Sequence, residues 1–119
     1  MLHRLRFPSR ALRERIAELV TIAYDTEEHE PLYEAADIVT QFYGLATVRR
    51  FVFRRRFREQ ILGRCWQSGW IEILHPATAK ARGNERAAWV QAVLHELGHY
   101  VFWVDDERRA DAFAARLMR

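Results

Sequence analysis

The chain of 119 residues has one cysteine, three prolines and five glycines, and each shortage excludes something. Cys65 alone permits no internal disulfide, so this is no stapled secreted scaffold. No apolar run approaches the roughly 18 residues of a membrane span, and no signal-peptide pattern is legible. No membrane association is expected, and the reducing cytoplasm is the expected compartment. Repeats, low-complexity blocks and Pro/Gly-rich linkers are absent, which leaves one domain over 1–119, with an N-terminal helix and acidic loop in 1–30 and the core in 31–119. Lysine is nearly absent too: of 19 basic residues, all but Lys80 are arginine.

Hydrophobic residues make up 50% of the chain, enough for a single core. The net charge of +3 is unevenly placed. Arg49, Arg50, Arg54, Arg55, Arg56 and Arg58 crowd a stretch without acids, whereas Asp25, Glu27, Glu28, Glu30, Glu34 and Asp37 crowd one without lysine or arginine. Phe51, Phe53 and Phe57 interleave with the basic cluster, a composition that suits nucleic acid. A half-buried strand alternates aromatic residues with arginine for solubility alone, so nucleic acid is not expected as a direct ligand.

Periodicity gives an α+β fold. Leu12, Ile16, Leu19, Val20 and Ala23 recur at helical spacing after Ser9, a natural N-cap. Pro31 can open a second helix, with a stripe of Leu32, Ala35, Ile38, Val39 and Phe42 that Gly44 can close. From Leu45 to Leu62 aromatic and β-branched residues predict one or two strands. Gln67, Ser68 and Gly69 predict a turn, and Trp70–Leu74 a strand ended by Pro76, giving a small antiparallel-containing sheet of about three strands. A polar loop over 78–83 and Asn84 as N-cap then lead into a helix from about Glu85 to Trp103. Asp105 or Asp106 caps a last helix, with Ala110, Phe113, Ala114 and Leu117 on one face.

The segment His95-Glu96-Leu97-Gly98-His99 carries chemistry. Histidines four apart lie one helical turn apart and can converge on one metal ion. Glu96, rotated by about 100° from His95, sits beside the ion, where it can take a proton from a metal-bound water and pass it to a leaving amine. Zinc suits this chemistry and needs a third protein ligand with one position left open. Two histidines and a carboxylate suit nickel or cobalt as well. Of the acids downstream, Glu107 fits best as third ligand, because it shares a helical face with Asp111. If that helix folds back, Glu107 reaches the metal and Asp111 accepts the free N–H of His95. Asp105 is the alternative ligand; it requires a sharp turn after the helix, where Phe102 stands instead of glycine.

Ala88–Tyr100 (AWVQAVLHELGHY) and Glu107–Met118 (ERRADAFAARLM) together resemble the ImmA/IrrE-like zinc metallopeptidases of the gluzincin group, near the size of its smallest members. The resemblance covers residues 32–118. It implies a zincin-like minimal domain, zinc on His95, His99 and Glu107, Glu96 as general base, and Trp70–Leu74 as the edge strand along which a peptide substrate lies. It also implies a protein or peptide substrate such as a transcriptional repressor of a mobile element or stress regulon. No helix-turn-helix is legible, so any DNA-related role is expected through a partner. The interval between His99 and Glu107 is shorter than usual in that group. Tyr100 and His75 are candidates for stabilising an oxyanion. Cys65 is expected to be an inert thiol, and the four tryptophans core and rim aromatics.

A metallopeptidase is therefore the leading expectation. A catalytically silent module of the same fold is the alternative, and a basic nucleic-acid-associated protein is a weaker one.

Overall fold

The computed structural model describes residues 6–102 and 107–118. Helix α1 (Arg10–Thr26) begins where Ser9 Oγ accepts the Leu12 N–H at 3.3 Å, and it buries Ile16, Leu19, Val20 and Ala23. Leu12, the first member of the expected stripe, is left exposed. Helix α2 (Glu30–Tyr43) has Pro31 in its first turn and ends at Gly44, whose φ of 67° lies in the left-handed region that lacks a Cβ penalty only for glycine. The two helices pack together and supply much of the core.

Strand β1 (Arg50–Arg54) is followed by β2 (Gly63–Trp66) and β3 (Trp70–Leu74). A three-residue turn joins β2 to β3, with the Gly69 N–H donating to the Trp66 carbonyl at 2.9 Å and Gly69 at φ 91°. The strand order is β1-β3-β2: β3 runs parallel to β1 and antiparallel to β2. The sheet is thus mixed, and Trp70–Leu74 is its central strand instead of the expected edge. The chain crosses from β1 to the far edge before the hairpin returns β3 to the middle. Alternation within a strand shows which face is buried but not which strand lies beside it.

Residues 76–81, which overlap the expected loop, form a short helix α3 (Pro76–Ala81), capped by His75 Nδ1 accepting the Ala77 N–H at 3.0 Å. Pro76 at the first helical position and the alanines at 77, 79 and 81 outweigh the polar residues between them. Helix α4 (Arg86–Val101) starts one residue after the expected point, with Glu85 rather than Asn84 at its cap position. It is the hub of the fold, touching α1, α2, α3, β2, β3 and α5 (Glu107–Leu117). Trp89, fully buried, donates its indole N–H to the Leu74 carbonyl at 2.7 Å and ties α4 to the end of β3. No helix among the described residues is long and apolar enough to cross a membrane.

Candidate metal centre

Residues 88, 91, 92, 95, 96 and 99 form one face of α4. That face makes one wall of a cleft of about 740 Å³ whose opposite wall is β2 and the residues just before it. The other face of α4, with Val90, Val93, Leu94 and Leu97, is buried in the core. The helix is therefore held rigidly by its apolar side while its histidines point into the cleft.

Helix α5 returns along α4 in antiparallel order, setting Glu107 beside His99 and Asp111 beside His95. His99 Nε2 lies 2.7 Å from Glu107 Oε2, and His95 Nε2 lies 3.2 Å from Glu107 Oε1. The candidate ligand atoms of His95, His99 and Glu107 all fall within 4.8 Å of one another. A tetrahedral zinc site with bonds near 2.0–2.1 Å needs ligand atoms about 3.3 Å apart, so an ion would be admitted by adjustment of these side chains, with the backbone order of the helices unchanged.

The donor set fits a cation. His95 Nδ1 lies 2.8 Å from Asp111 Oδ1, where its N–H donates to the carboxylate. That leaves a lone pair on Nε2, which faces the Glu107 carboxylate. Two electron donors face to face need a proton or a metal ion between them. Glu96 is 7% exposed and points into the cleft beside this group. Burial, and then the Glu107 charge, push its carboxyl up to about 7. A cation bound at Glu107 would remove the second of these causes.

Two glycines that the sequence reading passed over shape this arrangement. A Cβ on Gly98 would lie 3.0 Å from the Ala110 Cα and 3.2 Å from the Phe113 Cβ, so α5 comes this close to α4 only over a glycine. On Gly63 a Cβ would lie 2.7 Å from Ile73 Cδ1 and 3.3 Å from Glu96 Cγ, so β2 leaves room for the Glu96 side chain. For Gly98 the legible signal was a glycine inside an otherwise helical run; Gly63, the first residue of β2, lies just past the expected strand region and gave no such signal.

Chain similarity adds nothing to this geometry. No family model, curated protein or solved structure matches the chain.

The remaining site expectations separate cleanly. Asp105, the alternative ligand, and Asp106, an alternative cap, lie outside the described residues. Tyr100 donates its hydroxyl to the Ala46 carbonyl at 2.8 Å, and His75 caps α3 and packs on Phe53; neither is among the cleft-lining residues. Cys65 does line the cleft, but burial and the nearby Glu96 charge push its thiol up to about 12, which keeps it protonated and unreactive at neutral pH.

Proposed function

We propose that this chain is a zinc-dependent endopeptidase, a minimal zincin-like domain akin to the ImmA/IrrE-like metallopeptidases, acting on a protein substrate. The observation that carries the reading is the meeting of His95, His99 and Glu107 at one point, with Glu96 buried beside them in an open cleft. A bound zinc ion supplies a Lewis acid there, polarising the scissile carbonyl and making water acidic near neutral pH.

The chain's own residues supply the rest. His95, His99 and Glu107 hold the ion, and Asp111 fixes the ring of His95 so that Nε2 faces it. Glu96 takes a proton from the attacking water and returns it to the leaving amine. Strand β2 pairs only with β3 among the described strands, so its outer edge, on the cleft side, can hydrogen-bond an extended peptide. A regulatory protein of the repressor kind is the substrate class that the resemblance favours.

Glu96→Gln tests the reading. Against an unstructured protein substrate, the variant is expected to lose about 10²–10⁴-fold in turnover, with zinc content and melting temperature unchanged. A zinc-loaded wild-type protein that cleaves nothing, or a variant as active as the wild type, contradicts the proposal.

A further inference from the structure

The first two arginines of the basic cluster, Arg49 and Arg50, meet the solvent-facing tryptophans on the outer side of the sheet. Strand register puts Arg50 beside Trp70, Arg64 beside Glu72, and Trp66 beside Trp70. Directly paired residues share a face, so these side chains stand on one surface, while Phe51, Ile71 and Ile73 stand on the other and are buried. The phenylalanines that interleave with the arginines are thus unavailable for stacking: Phe51 and Phe57 are buried, and Phe53 packs against His29, His75 and Trp89. Trp66 and Trp70 take their place, opposite each other across β2 and β3 and each 42% exposed.

We propose that this outer sheet face binds single-stranded nucleic acid, stacking bases on Trp66 and Trp70 and holding backbone phosphates with Arg49 and Arg50. Arg49, Arg50, Ser68 and Trp70 line a surface depression of about 340 Å³, near the lower end of small-molecule pockets. The Arg64 guanidinium lies 5.2 Å from the Trp66 ring centroid and 5.3 Å from that of Phe57, which braces the outer tryptophan. The acid on this face is already neutralised, because Glu72 accepts from Arg54, Arg64 and the Trp70 indole. Arg64 also lies 3.8 Å from Glu59. Arg49, Arg50, Arg55, Arg56 and Arg58 form no ion pair among the described residues and are exposed.

Positive charge alone would suit any polyanion. Exposed indoles beside unpaired arginines select one whose flat aromatic groups are accessible, and that is an unpaired strand; in a duplex the base faces are covered by their neighbours. This inference does not rest on zinc or on peptide cleavage: neither tryptophan nor Arg49 or Arg50 lines the metal cleft, and Arg64, which borders both surfaces, is the one residue of this group that does.

Fluorescence titration of the full chain with short oligothymidylate and oligouridylate tests it, with a duplex of equal length and an oligoglutamate as comparisons. The two single strands distinguish DNA from RNA as the source of the ligand. Saturable, salt-sensitive single-strand binding with tryptophan quenching is expected. Trp66→Ala and Trp70→Ala should each weaken it by about fivefold or more. Trp70→Phe, which keeps a stacking ring but loses the bond to Glu72, should retain most of the affinity. Replacing both Arg49 and Arg50 with Gln should flatten the logarithmic salt slope by about 1.4. Circular dichroism checks that each variant is folded. No binding at low salt overturns the proposal. So does duplex or oligoglutamate binding as tight as that of the single strands, or unchanged affinity in folded alanine variants.

Discussion

His95 is the residue on which the candidate centre turns, because its two ring nitrogens have different tasks. Nδ1 is committed to Asp111 and Nε2 faces Glu107, so under the proposed function a change at position 111 would act on a bound ion through the imidazole, without touching a proposed ligand. Asp111→Asn is expected to weaken zinc binding by about 10–100-fold. Its stability without metal should hardly change, since Asp111 is exposed. Competition with a chromophoric chelator measures the first effect and denaturant unfolding of the metal-free protein the second. Equal affinity in variant and wild type would remove Asp111 from the account. The relative placement of His95, Glu96 and His99 was legible in sequence because a four-residue interval on a helix fixes it without tertiary information. Glu107 needed the further assumption that α5 folds back on α4, which the structure bears out.

At the scale of elements, the approach of α5 to α4 over Gly98 decides whether Glu107 reaches the histidines. Gly98→Ala raises helix propensity locally but drives a Cβ into the backbone of Ala110. Overpacking of this kind costs about 1–3 kcal/mol, and separation of the helices should weaken zinc binding as well. Thermal unfolding with and without zinc reads both effects; a variant more stable than wild type, with undiminished affinity, would show that the contact is not tight.

The sheet has its own tie in Glu72, which joins all three strands. Burial opposes its charge, but hydrogen bonds from Arg64 and Trp70 and the charges of Arg54 and Arg64 outweigh this and hold the carboxyl below its ordinary value of 4.5. Because the folded value is the lower one, the stabilisation is present in full above the unfolded value. It is lost as pH falls through the depressed folded value. Glu72→Gln should therefore cost on the order of 1 kcal/mol at neutral pH, discounted for half-exposed arginine partners. Acid unfolding of the variant should be correspondingly less steep below pH 4.5. Parallel unfolding profiles for the two proteins would deny Glu72 this role.

Across the whole molecule, what the sequence concealed was placement. Helices α1, α2, α4 and α5 and the strand Trp70–Leu74 could be read because their apolar period and their turn residues are local, whereas the short α3 falls where the polar residues predict a loop. That Trp70–Leu74 is central, that β1 lies parallel to it and that β2 forms the cleft wall depend on contacts distant in sequence, and no local period records them. The alternation of arginine with buried phenylalanine along β1 was legible, as in any half-buried strand, but the pairing of Arg50 with Trp70 and of Trp70 with Trp66 was not. With a radius of gyration of 13.1 Å, close to the roughly 13.5 Å of a compact chain this long, the fold gathers the candidate metal centre and the arginine-rich sheet face into one small body.

The central claim is that His95, His99 and Glu107 form a zinc site, and elemental analysis of untagged protein after zinc loading and gel filtration tests it most directly. The account predicts near-stoichiometric zinc in the wild type and its loss in folded His95→Ala and Glu107→Ala. A wild-type protein without zinc, or a Glu107→Ala variant that keeps it, would contradict the account.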